Sequence, residues 1–217
     1  SDGSVNEIKV HNDGTFKFKL KQYNDYLILA SAPSFLKKKI KISTNNLSEN
    51  KTFNEKIELI SMSKPVEIPN VFYDFGKWEL NEASKNALIE LMKLLEDNPN
   101  ITIELGSHTD MVGDSIKNMD LSIKRAKSII NYLNEKGYDP DRLIAKGYGE
   151  SKPVIVDEYL NKENPEFAIG DTLNEKYILA LSSKDLQSKA NQINRRTELR
   201  ILSSNYIPKP EYFLQYR

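Results

Sequence analysis

The chain has 217 residues, with 31 basic and 31 acidic side chains, 39% hydrophobic residues and no cysteine. A formal net charge of zero argues against the broad basic footprint that nucleic acid or an anionic membrane surface attracts. No apolar run reaches the roughly 18 residues that a membrane-spanning helix needs, and the lack of cysteine excludes disulfides and thiolate metal sites.

The first residues, SDGSVNEIKV, lack an initiator Met and an apolar signal core. They read as the cut end of a longer chain. From there to residue 62 the pattern is β. After a turn at Asn12-Asp13-Gly14, Phe16, Phe18 and Leu20 alternate with Lys17 and Lys19, the period-2 mark of a half-buried strand. Tyr26, Ile28 and Ala30 repeat it, and residues 39–43 and 56–60 supply shorter candidates. A small antiparallel, sandwich-like all-β unit is expected over residues 1–62. About 60 residues make a meagre sandwich, so further strands are expected on its N-terminal side. Pro65 and Pro69 predict an extended linker over residues 63–70.

Beyond the linker, strand and helix alternate. Residues 71–75 read as a strand. Ala87, Leu88, Leu91, Leu94 and Leu95 recur at helical steps, with Asn81 or Glu82 to start the helix and Asn98-Pro99 to stop it. Ile101, Ile103 and Leu105 alternate as a second strand. Asp114 or Ser115 caps a second helix running to about Lys136, with Ala126, Ile129, Ile130 and Leu133 as its apolar stripe and Gly137 as its end. Residues 142–147 and 194–202 read as the last two strands. Between them, residues 155–193 form a long excursion with candidate short helices at 173–180 and 184–192. It reads as a surface insertion covering a sheet edge or, more sharply, as a docking surface. The order predicts an α+β fold, βαβαβ(insert)β over residues 71–203, with helices packed on a mixed sheet. A tail, 204–217, either packs back or continues towards a partner.

The stretch GSHTDMVGDSIKNMDLSIKRA, residues 106–126, holds the most informative residues. Asp110 falls in the loop after the second strand, and Arg125 lies on the helix that follows. Asn118, Ser122, Arg125 and Ile129 are spaced by 4, 3 and 4, so they share one helix face. Asn118 and Arg125 lie roughly 10 Å apart along the axis. This stripe borders the apolar one, so Arg125 emerges at the rim of the core. Two readings remain open on geometry alone. Asp110 and Arg125 form a structural ion pair, or they hold a ligand bearing both charges. A zwitterionic amino-acid head group has an ammonium for the Asp and a carboxylate for the planar Arg fork. Peptidoglycan of the diaminopimelate type presents such a group.

Other chemistry is poorly supplied. His108-x-Asp110 hints at a metal, but the only other His is His11, and zinc catalysis takes about three protein ligands. Ser107 and His108 are strand neighbours aimed to opposite faces, not a nucleophile with its base. Neither an enzyme, a metal nor a cofactor is expected. Trp78, the sole Trp, reads as a packing residue.

Residues 71–202 resemble the OmpA-like peptidoglycan-binding domain. The resemblance is carried in order by VFYDFGKWEL, by ELGSHTD followed by Gly113, and by Asn118, LSIKRA, KGYGESKP and NRRTELRIL. It implies a small sheet with two helices, a periplasmic place by the outer membrane and cell wall, and non-catalytic binding of the meso-diaminopimelate stem peptide. By the same resemblance Asp110 and Arg125 grip the zwitterion, assisted by Asn118 and by Arg195 and Arg196 of the NRR motif. Arg196 is favoured over Arg195, because Thr197, Leu199 and Ile201 alternate inward. Gly76 offers backbone contacts only. Lys117 stands where the family often has an aromatic residue, and Val112 where a polar one is frequent. The excursion is also longer than the family's short loop before NRR.

Two further resemblances concern the surroundings. Asp13, Gly14, Phe16, Phe18 and Leu20, then Tyr26 to Ala30, are similar to the second half of a carboxypeptidase-regulatory-like β-sandwich. GDTLNEKYI and NQINRRTEL resemble a subgroup of these domains from multi-part envelope proteins, some of gliding and type IX secretion machines. That implies other envelope or secretion-machine proteins as partners. It also implies a rival role, a protein–protein scaffold module with little or no peptidoglycan binding. An outer-membrane barrel does not fit in the N-terminal unit, since about 62 residues cannot hold eight strands of roughly 9 residues plus turns.

Overall fold

Side-chain caps set where the two long helices begin. In the computed structural model, which describes residues 5–74 and 76–212, Asn81 Oδ1 accepts from the Ser84 N–H at 2.8 Å, and α1 runs Glu82–Asp97. Asp114 Oδ1 accepts from the Lys117 N–H at 2.9 Å, and α2 runs Ser115–Glu135. Each cap satisfies a donor that the first turn leaves orphaned. The chain divides into two units, Ser1–Ser61 and Met62–Arg217.

The second unit is a four-stranded mixed sheet with helices. Its strands are β3 (Val66–Glu67), β4 (Thr102–His108), β5 (Leu143–Gly149) and β6 (Thr197–Ser203), in the order β3-β6-β4-β5. β4 and β5 are parallel because α2 is the crossover between them. β6 is antiparallel to both β4 and β3. Leu88, Leu95, Ile101, Ile103, Leu105, Ala126, Ile129 and Leu133 are fully buried and form the core.

Helix α2 meets β5 through bare backbone. A Cβ on Gly147 would lie 2.4 Å from Ser122 Oγ and 2.5 Å from the Ile123 backbone nitrogen. Gly149, at φ +52°, donates its N–H to Ser122 Oγ at 2.9 Å. Arg142, on a 3-10 turn at Pro140–Arg142, is buried and reaches the backbone carbonyls at the end of α1. Its Nε donates to Ile101 O at 3.0 Å, and its Nη2 donates to Leu95 O at 3.2 Å and Asn98 O at 2.8 Å. The cation thus ends α1 where the helix dipole is negative.

Several expectations are corrected. Residues 63–70 are not all linker: Val66 and Glu67 pair with Leu199 and Glu198, and Ile68 N–H donates to Thr197 O at 2.8 Å. Prolines are tolerated on such an edge. Residues 71–74 are not a strand, and residue 75 lies outside the described residues. The Phe72 N–H donates to Ser84 Oγ at 2.9 Å and its carbonyl accepts from the same hydroxyl at 2.5 Å, so a helix side chain takes both backbone groups a ladder would use. The insertion is more regular than expected, with three helices: α3 (Glu158–Glu163), α4 (Glu175–Ala180) and α5 (Lys184–Asn194). They enclose a small core of Val156, Phe167, Leu173, Ile178 and Ala190. The tail packs back as far as it is described. Tyr206 N–H donates to Asn100 O at 2.8 Å, its hydroxyl donates to Asp139, and Lys209 Nζ pairs with Asp141 at 2.6 Å. Residues 213–217 lie outside the described residues.

The first unit is not a sandwich among its described residues. Its ladder is β1 (Asp25–Ala30) against β2 (Lys38–Ser43), with Tyr26 opposite Ile42 and Ile28 opposite Ile40. Residues 16–20 keep the alternation of half-buried and exposed side chains but join no ladder, and neither do residues 56–60. A single bridge links Phe35 to Ser61. The reason is supply of apolar surface: Leu36 and Ile42 are the buried hydrophobics there, too few to cover a second sheet.

Gly147→Ala is expected to destabilise the second unit by about 1–3 kcal/mol through overpacking against backbone, read as a lowered midpoint in urea denaturation. An unchanged midpoint would show that α2 does not sit on β5 this closely.

Candidate functional site

The loop between β4 and α2 presents Asp110. Its Oδ1 accepts from the Val112 N–H at 3.1 Å, a local Asx turn that fixes the carboxylate. Its Oδ2 is ion-paired to Arg195 Nη1. Arg195 caps the C-terminus of α5, and its Nη2 donates to Gln192 Oε1. The structural pair considered above, Asp110 with Arg125, is therefore not what the loop makes; Arg195 takes that place.

Arg125 emerges from the face of α2 that lies over β5. It is only 8% exposed. Its Nε donates to Lys77 O at 2.9 Å, and its guanidinium lies 4.7 Å from the centre of the Tyr73 ring. Tyr73 in turn donates its hydroxyl to Arg125 O at 3.2 Å. Burial lowers the guanidinium's pKa, opposed by Tyr73 and Asp110, with Arg195 adding to the lowering; an arginine stays charged regardless. Burial pushes the Tyr73 phenol up to about 12. Among the described residues no carboxylate lies within ion-pair distance of Arg125.

Arg125, Arg195 and Arg196 line one open cleft with Tyr73, His108 and Gln192, of about 430 Å³ including the solvent at its mouth. The arrangement gathers cations around a concave space, with Asp110 bound to one of them. It is suited to an anionic group that also offers a positive charge.

The remaining predicted residues take supporting positions. Asn118 Nδ2 donates to Glu150 Oε2 at 2.8 Å, Val112 O at 3.2 Å and Asp110 O at 3.3 Å. It braces the loop rather than reaching into the cleft. Arg196 is held by Glu198 at 2.7 Å, Lys152 O at 3.2 Å and Asn194 O at 3.3 Å. Gly76, at φ +70°, is not on the cleft wall. It sits in the turn closed by Lys77 N–H to Asp74 O at 2.9 Å, which brings the Lys77 carbonyl to Arg125. Trp78 is half exposed, with Lys124 Nζ 4.5 Å above its ring.

Sequence reasoning missed the cleft floor. His108 is 2% exposed and stacks on Tyr148 with centroids 4.9 Å apart. Its Nε2 is 3.4 Å from Glu198 Oε2, but off the hydrogen-bonding direction, so neither ring nitrogen has a well-aimed partner. Burial lowers the His108 pKa, against the pull of Glu198. For Glu198 burial alone would raise the carboxyl; His108 and Arg196 overcome it and hold it at about 2. The Tyr148 hydroxyl donates to Glu104 at 2.6 Å. The available signal was the i, i+2 spacing of Arg196, just before β6, and Glu198 within it, which in extended chain puts them on one face.

Comparison with known proteins places the chain. The model of the OmpA family matches residues 72–164. The Peptidoglycan-associated lipoprotein of Buchnera aphidicola subsp. Baizongia pistaciae is 32% identical over 126 residues, 58% of this chain and 68% of that protein. Outer membrane protein A of Salmonella typhi is 36% identical over 125 residues, 57% of this chain; the chain spans only 35% of that protein's length. Among solved structures, the peptidoglycan-associated lipoprotein from Burkholderia pseudomallei aligns with a TM-score of 0.42 at 21% identity, covering 60% of this chain and 87% of that one. The chain belongs to the OmpA family.

The acid response of the floor has a definite sign. Glu198 ionises at about 2 in the fold against an ordinary 4.5, so its contribution to stability is complete above pH 4.5 and is lost as pH falls from there towards 2. Glu198→Gln should flatten the stability–pH slope below pH 4.5, measured by urea denaturation between pH 3 and 6; an unaltered slope would contradict the assignment.

Proposed function

We propose that the protein is a non-catalytic anchor that binds peptidoglycan through the diaminopimelate zwitterion of a stem peptide, in the periplasm at the cell wall and outer membrane. The observation that carries this reading is Arg125: a nearly buried guanidinium on the wall of an open cleft, oriented by the Lys77 carbonyl and the Tyr73 ring, and not consumed by a carboxylate among the described residues. Its planar fork suits a carboxylate. Asp110, on the same loop system, accepts the ammonium. Asn118 holds the Asp110 loop in place, and Arg196 with Glu198 forms a rigid floor. Membership of the OmpA family and similarity to a Peptidoglycan-associated lipoprotein support the same direction.

A second reading draws on the insertion. Ile155, Tyr159, Ile169 and Leu179 are all more than half exposed on it, which favours contact with another protein. In that reading the chain is a scaffold module of an envelope machine, of the gliding or type IX secretion kind, and wall binding is weak or absent.

Titration with a purified diaminopimelate-containing muropeptide separates the two. Asp110→Ala and Arg125→Lys should each weaken binding at least about tenfold, the loss expected for one charged, bidentate contact, with unfolding midpoints showing that both variants fold. A stem with lysine in place of diaminopimelate, lacking the second carboxylate, should bind as poorly. Undiminished binding by both variants would remove this site from consideration.

A further inference from the structure

We propose that Arg195 is a displaceable internal cation that occupies the ammonium position on Asp110, so that it opposes ligand binding and sets its affinity. The inference rests on the reading above. It departs from the expectation that Arg195 assists the grip.

The Asp110 carboxylate has two oxygens with different employment. Oδ1 is taken by the Val112 N–H at 3.1 Å, which leaves Oδ2 for a cation. Arg195 Nη1 already sits there. An incoming ammonium therefore meets a carboxylate already paired with a guanidinium and competes with it for Oδ2. The two neighbouring arginines of the NRR motif differ in their freedom to yield. The Arg196 side chain is 8% exposed and tied to three acceptors. The Arg195 side chain is 39% exposed, and beyond Asp110 its guanidinium is held, among the described residues, by Gln192. It has solvent to swing into; Arg196 does not.

The competitor is delivered by the insertion. Arg195 is the C-cap of α5, its N–H donating to Asn191 O at 3.1 Å, and Gln192 lies three residues earlier on the same helix. That helix is seated by Ala190 in the small core shared with Phe167, Leu173 and Ile178. The position of α5 therefore determines how firmly Asp110 is occupied. Arg125 adds a reason for the exchange to remain reversible: its guanidinium and that of Arg195 line the same cleft, and their like charges favour letting the more exposed one leave.

The test is the sign of one affinity change. The muropeptide with a free diaminopimelate amine is titrated into the wild-type chain, Arg195→Gln and Asp110→Ala. Removing an exposed ion pair of this kind is expected to tighten binding roughly two- to fivefold in Arg195→Gln. The gain should vanish with the same muropeptide acetylated on that amine, which cannot claim Asp110. Weaker or equal binding by Arg195→Gln, or a gain that persists with the acetylated ligand, overturns the competitor role and leaves the anchor reading standing as long as Asp110→Ala loses binding. Absence of binding by all three proteins removes both. Should Arg195→Gln unfold early, Gln192→Ala, which frees the guanidinium's other hold without altering charge, must also tighten binding; failure to do so counts against the proposal equally.

Discussion

The backbone contact between α2 and β5 is the constraint on which the site depends. With no side chain at Gly147, the Ser122 hydroxyl and the Ile123 amide sit where a Cβ would otherwise be. The Ser122 hydroxyl then accepts the Gly149 N–H and donates to Met119 O at 2.8 Å, which fixes the helix against rotation and sliding. Asn118 and Arg125 lie on that same face, one turn before and one turn after Ser122. Their positions relative to the loop and to the cleft are therefore set by packing in the core, not by the loop itself. This is how a rigid element can hold a charged group to the tolerance that recognition demands.

The cleft solves the problem of keeping cations near one another. Each of its three arginines is satisfied differently. Arg125 uses a carbonyl and an aromatic face. Arg196 uses a carboxylate held strongly acidic, with two carbonyls behind it. Arg195 uses the loop acid and one amide oxygen. The first two are built into the fold, whereas the third stands at its margin on an added helix. Burial disfavours the charged form of the His108 ring beneath them, against the pull of Glu198.

Much of this architecture was legible because it is periodic. The leucines of α1, the alternation in β4 and the caps Asn81 and Asp114 act locally, and local signals survive in a single sequence. What escaped reading depended on partners distant along the chain. Nothing around Phe72 announces that Ser84 will take its backbone groups, and nothing around Val66 announces an edge pairing with Leu199. In the first unit the alternation of Phe16, Phe18 and Leu20 was real, yet too little apolar material stood opposite to turn it into a ladder. The face shared by Asn118 and Arg125 followed from helix geometry. The assignment of Asp110 to Arg195 did not, because it joins residues 85 positions apart through an insertion whose packing no local pattern encodes.

The sheet's β3 margin carries a consequence of its own. β3 offers only Val66 and Glu67 for pairing, and Pro65 and Pro69, on either side, have no N–H to give. A foreign strand meeting that margin finds almost nothing to continue. Molecules gathered densely side by side would thus have no template there for growing a shared sheet, and crowding need not end in fibrous aggregation through that margin.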